Sequence, residues 1–338
     1  MVITGHRTHA QEPGGVVAIC MRRLDMKQNH APAINFVSGL LLLGLATVWG
    51  GSFFFAEIAL REVPPLTVTL HRIFWALPAL YLVVVWRGVR LPRSIKVWSC
   101  YLVMGALNNA IPFSLIFWGQ LTIESGLASI LNGTTAVFGA VVAGVFLIDE
   151  PLTPRKIMGA LFGIFGVAVI MGIDALTNFD PRNLAQLAVL GAALSYAFAG
   201  VWGKRFLSGQ PPIMNALGML MGSTVLMIPV AFYADGVPNF MLSAEVWVSL
   251  LAISLLSTAV AYLLYFEILV RAGSANLMLV TLLIPPVAVG LSATFLDERL
   301  GREAWFGFAL IAIGLMVTDG RVFDRFRQMY AAKKDSAK

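Results

Sequence analysis

Few side chains in this sequence are equipped for ionic or hydrogen-bonding chemistry, and those few interrupt long apolar runs. Arg72 lies inside one such run, and Glu57 near the end of another. A charge at the centre of a bilayer costs about 2.5–3.5 kcal/mol on insertion scales, so each needs a reason to be there. Two readings are open. Arg72 holds the carboxylate of a bound small molecule and Glu57 carries an exchangeable proton, or the two form an ion pair with each other or snorkel to the interface. Asn108 and Asn109, followed by Pro112, supply amide donors and acceptors beside a freed backbone carbonyl; Asn132 does the same in the next run. They read either as a polar patch in a cavity wall or as interhelical hydrogen bonds, worth about 0.6 kcal/mol each. Trp49, Ser52, Tyr196, Tyr262 and Tyr265 fit an aromatic wall with a few polar groups, and fit equally the packing and interfacial belts of a membrane protein. Pro285-Pro286 interrupts its run near the middle. A broken helix is tolerated where the freed groups find partners or line a wet cavity, which makes the pair a hinge candidate.

The sequence offers no catalytic constellation. His-Glu-x-x-His, Gly-x-Ser-x-Gly and Gly-x-x-x-x-Gly-Lys-[Ser/Thr] are all absent, and three of the four histidines fall before residue 31. Cys20 and Cys100 make neither a disulfide framework nor a metal set. The chain is therefore expected to be no enzyme and to need no cofactor or metal.

Composition says what positions these residues. Of 338 residues, 58% are hydrophobic and only 12% charged, against about 25% charged in soluble domains. A soluble chain this apolar would expose intolerable patches. The net charge of +6 resides between apolar runs, so it points to a lipid bilayer and not to nucleic acid. A bilayer core needs roughly 20 apolar residues per helix. Ten runs qualify, near 36–56, 66–86, 97–118, 121–148, 157–173, 184–202, 213–234, 246–269, 275–296 and 304–317. Pro64-Pro65, the Pro151–Pro154 segment and Pro211-Pro212 each introduce a helix, and Thr153 before Pro154 suits an N-cap. Residues 1–35 and 321–338 are polar and basic and are expected to be disordered cytoplasmic tails. With the N-terminus inside, nineteen Lys and Arg fall on the inner side and four on the outer. The positive-inside rule then gives ten spans of the cytoplasmic membrane with both termini inside.

The chain also repeats itself. A shift of 148 residues brings Asp149-Glu150 onto Asp297-Glu298, Gly159 onto Gly307, Gly166 onto Gly314 and Leu115 onto Leu263. Residues 36–174 and 184–320 each hold five runs, an odd number, so the second half enters from the opposite side. Inverted repeats suit a carrier in which one half rocks against the other around a midplane site. Asp149, Glu150, Asp297 and Glu298 sit at helix junctions and read as caps or loop closures. Gly159-x-x-x-Gly163 permits close helix approach within the chain or between two copies in a homodimer.

Each half resembles the EamA-like domain of the drug/metabolite transporter superfamily. The resemblance rests on Glu150-Pro-Leu-Thr-Pro-Arg-Lys-Ile-Met-Gly159 with Gly166, on Glu298-Arg-Leu-Gly-Arg-Glu-Ala-Trp-Phe-Gly307 with Gly314, and on Trp49-Gly-Gly-Ser-Phe53. It implies an all-α membrane protein of ten helices in two inverted repeats. The first four helices of each half would line a central cavity, and an ion gradient would drive a small-metabolite substrate. Export of an amino-acid-like metabolite is the leading reading; a multidrug exporter, an importer and a membrane-embedded enzyme are the alternatives. The sequence departs from the family twice. Glu57 stands where a lysine is frequent, and Ala136-Val137 where the fourth helix often has a proline.

Overall fold

The computed structural model describes residues 36–148, 150–171, 181–277 and 279–319. The expectations for the two tails, Cys20 and Asp149 lie outside them. The described residues form helices joined by short turns: α1 (Phe36–Ala59), α2 (Pro65–Trp86), α3 (Ile95–Gly119), α4 (Ser125–Phe146), α5 (Pro154–Met171), α6 (Pro181–Phe206), α7 (Pro212–Ala234), α8 (Ala244–Gly273), α9 (Val280–Phe295) and α10 (Arg302–Asp319). Eight of them, α1 to α8, are long and apolar enough to cross a membrane; α9 is apolar but has only 16 residues. The chain is a multi-pass helical membrane protein.

Local chemistry sets the helix starts. α2, α5 and α7 begin at Pro65, Pro154 and Pro212, where a missing N–H leaves no bond unmade. Thr153 Oγ1 accepts from the Lys156 amide, as its N-cap spacing predicts. α2 and α4 lack a cap from their own N-cap residues. Their first amides are satisfied from far along the chain instead. Asp235, after α7, accepts from the Thr67 amide at 2.8 Å and its hydroxyl at 2.9 Å. Glu298, after α9, accepts from the Ser125 amide at 3.0 Å and the Gly126 amide at 3.2 Å, and from the Ser125 hydroxyl. A carboxylate at a helix N-terminus also opposes the positive end of the helix dipole.

Small residues set the helix contacts. Gly159 packs on Gly314 and Gly166 on Gly307, so α5 and α10 cross antiparallel with backbones in contact. Gly163 lies against Val137 of α4 and against Gly314. The glycine motif is thus used within the chain. α1 and α9 run parallel: Gly50 meets Val287, Gly51 meets Leu291, and Phe54 meets Phe295. They part toward their N-termini, leaving an apolar cleft of about 610 Å³ lined by Phe36, Leu40, Leu43, Leu279 and Leu283. Pro285 and Pro286 fall in the second turn of α9, which continues through them. The interruption anticipated at the prolines lies before them instead, at Gly273 with φ +77° and at the turn of Leu279, with residues 274–277 helical between the two.

Two helices are irregular inside. α3 contains a π-helical turn over Ala106–Ala110, and α8 a longer one over Ala252–Val260. Shifting the first by 148 residues places it on the second. Such bulges widen a helix by one residue per turn and recur at functional sites.

Candidate functional site

The two π-helical stretches face the same interior region. Arg72, two turns into α2, is 7% exposed. Its guanidinium carbon lies 3.7 Å from the centroid of the Phe113 ring on α3, within cation–π range. Its Nε donates to Thr258 Oγ1 at 3.2 Å, on the α8 bulge. From the same bulge, Ser254 Oγ donates to the Arg72 carbonyl at 2.9 Å, and Ser257 Oγ donates to the Val48 carbonyl of α1. Among the described residues, no carboxylate lies within salt-bridge distance of Arg72. The anticipated pairing of Arg72 with Glu57 does not form.

The α3 bulge carries Asn108 and Asn109. Tyr262 on α8 donates its hydroxyl to Asn109 Oδ1 at 3.1 Å and accepts from Asn108 Nδ2 at 3.4 Å. Asn109, with no exposed surface, donates Nδ2 to Ser223 Oγ of α7 at 3.3 Å. Asn108 also reaches Asn109 Oδ1 at 3.3 Å. The opened turn sets both amides on one polar seam spanning α3, α7 and α8. A regular helix would turn consecutive residues about 100° apart.

Aromatic rings close the region. Tyr196 on α6 sits edge-to-face on Phe113, centroids 6.5 Å apart. Tyr196 and Tyr262 are both within electrostatic range of Arg72. Tyr262 stacks on Phe266, Phe266 meets Tyr265 edge-on at 5.3 Å, and Tyr265 meets Trp49 of α1 at 6.1 Å. The fold thus gathers Arg72, Asn108, Asn109, Tyr196 and Tyr262 into one cluster, with Trp49 and Tyr265 at its edge.

It does not gather all the candidates. Ser52 donates its hydroxyl to the Trp49 carbonyl of its own helix. Asn132 lies in α4, its Oδ1 buried and without a hydrogen-bond partner among the described residues. Glu57 stands apart, near the end of α1. Sequence reasoning in turn missed Phe113, Ser223, Ser254 and Thr258. These are ordinary residues for apolar helices, and Ser254 and Thr258 reach the centre from the α8 bulge. Chemically the cluster presents one fixed cation, several neutral hydrogen-bonding groups and aromatic faces. Among the described residues, no group of His, Cys, Asp and Glu could hold a metal ion.

These features define a class, a helical membrane protein with a polar, cationic interior site. The model of the EamA-like transporter family matches the chain twice, over residues 37–172 and 183–318. The chain belongs to that family. It is 26% identical over 290 residues to a protein of Escherichia coli (strain K12) described as a probable amino-acid metabolite efflux pump, covering 82% of this chain and 93% of that one. It is 26% identical to a probable terminal-alkyne amino-acid exporter of Streptantibioticus cattleyicolor, covering 85% of this chain and 95% of that one. It is 29% identical to the uncharacterized transporter YvbV of Bacillus subtilis (strain 168), covering 83% and 91%. One crystal structure, 18% identical in sequence, shares the fold with a TM-score of 0.60 over 83% of this chain and 97% of that one.

Proposed function

We propose that this protein is a secondary carrier that exports a small, amino-acid-like metabolite across the cytoplasmic membrane, and that it catalyses no chemical change. The carrying observation is Arg72. A guanidinium removed from water strongly favours an anionic partner, and among the described residues none is within reach. A substrate carboxylate would supply that partner, with Thr258 beside it and the Phe113 and Tyr196 rings walling the site. Asn108, Asn109 and Tyr262 would receive the amino or side-chain end. The names of the Escherichia coli and Streptantibioticus relatives favour the same substrate class.

The two halves, 36–174 and 184–320, are read as inverted five-helix repeats, ten spans in all with both termini cytoplasmic. The match of one family model to each half supports this. So does the reciprocal crossing of α5 and α10, in which Gly159 meets the equivalent of Gly166 and Gly166 the equivalent of Gly159. Alternating access would then be a rocking of these halves around the Arg72 cluster. On the side where α1 and α3 end, Arg61–Glu245, Thr67–Asp235 and Ser125–Glu298 tie one half to the other, against Glu150–Lys204 at the opposite end. That reads as a closed outer face.

Purified protein in liposomes loaded with a mixture of the proteinogenic amino acids tests the proposal by mass spectrometry of what leaves. Efflux of unchanged compounds is expected. Arg72→Ala should lower the efflux by about 10²-fold or more, as losing a buried charge–charge contact of about 3 kcal/mol would. Efflux by Arg72→Ala at the normal rate makes Arg72 structural, and a chemically altered product makes the protein an enzyme.

A further inference from the structure

A second polar site lies away from the Arg72 cluster, where α1 and α3 end and α4 begins. Gln120, directly after α3, is 3% exposed. Its Nε2 donates to the Phe53 carbonyl of α1 at 2.9 Å. Its Oε1 is buried and has no hydrogen-bond partner among the described residues. The side chain lies against the Glu57 carboxyl, one turn past Phe53 on α1. Oε2 of Glu57 is likewise buried without a partner. Two neighbouring side chains thus each keep one buried oxygen without a hydrogen-bond partner among the described residues. Leaving a buried polar atom unsatisfied costs about 1–3 kcal/mol.

The charges around Glu57 sharpen the point. Glu298 approaches from the end of α9, Glu124 from the start of α4, and Arg61 from beyond the end of α1. The two that could relieve a negative charge, directly or through a neighbour, are engaged elsewhere: Arg61 with Glu245 at 3.3 Å, and Arg182 with Glu124 at 2.8 Å. Both oxygens of Glu298 are held by Ser125 and Gly126, which fixes its carboxyl beside the site. Two carboxylates close together with no cation between them do not both ionise easily.

We propose that Glu57 and Gln120 form a proton-binding site, with the proton on Glu57 Oε2 shared toward Gln120 Oε1, and that this is where the coupling proton of the carrier binds. One hydrogen satisfies both leftover oxygens and removes the repulsion with Glu298. A hard metal ion would need about six oxygen ligands or more, whereas a proton needs only the two. The link to transport is Glu298. When Glu57 loses its proton, its charge pushes on the carboxylate that holds the N-terminus of α4, loosening one tie across the outer face. Proton exchange would thereby be linked to opening on that side. The coupling half of the proposal rests on the carrier reading; proton binding itself does not.

The two can be tested apart. Infrared difference spectra of the purified protein across a pH titration report protonated carboxyls directly, with no substrate needed. A protonated-carboxyl band is expected that titrates as about one proton per chain, is absent in Glu57→Gln, and shifts in Gln120→Leu as its hydrogen-bond acceptor is lost. Glu57→Asp keeps the group and should keep a band. A wild-type spectrum without a titrating carboxyl, or a band unchanged in both Glu57→Gln and Gln120→Leu, overturns the site. In liposomes loaded with the amino-acid mixture, an inward pH gradient should raise wild-type efflux about tenfold, the equivalent of one pH unit, and leave Glu57→Gln unresponsive. Equal stimulation of Glu57→Gln, or stimulation of wild type by a sodium gradient in place of a pH gradient, overturns the coupling. Wild-type protein that carries none of the mixture while the band behaves as expected counts against the substrate class and not against the proton site.

Discussion

Arg72 has its position because three residues from two elements, α3 and the α8 bulge, meet its three parts. Phe113 takes the face of the guanidinium, Thr258 takes Nε, and Ser254 takes the backbone carbonyl. The remaining guanidinium nitrogens are what a planar carboxylate would engage in two parallel bonds, a geometry lysine cannot reproduce. α2, which carries Arg72, is anchored at its start by Asp235 through the Thr67 amide and hydroxyl. Removing that anchor should loosen the helix without touching the site. Asp235→Ala is expected to lower stability by about 1–2 kcal/mol, in the range of a lost N-cap, while Asp235→Asn, which keeps an acceptor oxygen, loses less. Thermal unfolding of the two variants in detergent checks this; equal stability of Asp235→Ala and wild type would show that the contact contributes nothing.

At the scale of elements, the glycine contacts decide how near the helices come. A Cβ at Gly314 would lie 2.6 Å from the Gly159 carbonyl oxygen and 3.0 Å from the Gly163 amide nitrogen. Both obstacles are backbone, so neither can swing aside. Gly314→Val should force α5 and α10 apart and destabilise the protein by about 1–3 kcal/mol or more, the range for overpacking. A Cβ at Gly290, on α9, would meet nothing within 4 Å, and Gly290→Ala serves as the control. A melting temperature that falls equally for both variants would refute the crossing. The existence of these helices was legible in the sequence, because apolar runs of twenty residues have few alternatives. So were the starts at Pro65, Pro154 and Pro212, where proline chemistry acts locally. The bulges in α3 and α8 were not legible. An i→i+5 turn has no residue signature, and without it Thr258 and Ser254 look like solitary hydroxyls on a greasy helix. The run from residue 275 matches the helix that resumes after Gly273, but the turn at Leu279 has no residue to announce it, since the apolar run passes through Leu277 and Leu279 into Val280 without a breaker. The capping role read for Glu298 was local in expectation. Its partners, Ser125 and Gly126, lie more than 170 positions earlier, beyond what spacing can reveal.

On the scale of the whole molecule, the repeat explains why the site is where it is. The shift of 148 residues that aligns Glu150 with Glu298 also aligns the two bulged turns, and the bulges lie on either side of the Arg72 cluster. The halves have nevertheless diverged in chemistry. Arg72 corresponds in the second half to Leu220, and Glu57 to Arg205, so the cation and the proton site belong to the first half alone. On the proposed carrier reading, a symmetric frame with an asymmetric charge distribution would give one binding site that either face could reach.

The carrier reading depends above all on opposite insertion of the two halves. Arg155 and Glu303 are equivalent under the repeat, and both are exposed. Single cysteines at these positions, in a background lacking Cys20 and Cys100, can be labelled in intact cells with a membrane-impermeant maleimide. The inverted arrangement predicts that Glu303→Cys is labelled from outside while Arg155→Cys reacts only after the cells are opened. Labelling of both positions from the same side would contradict it.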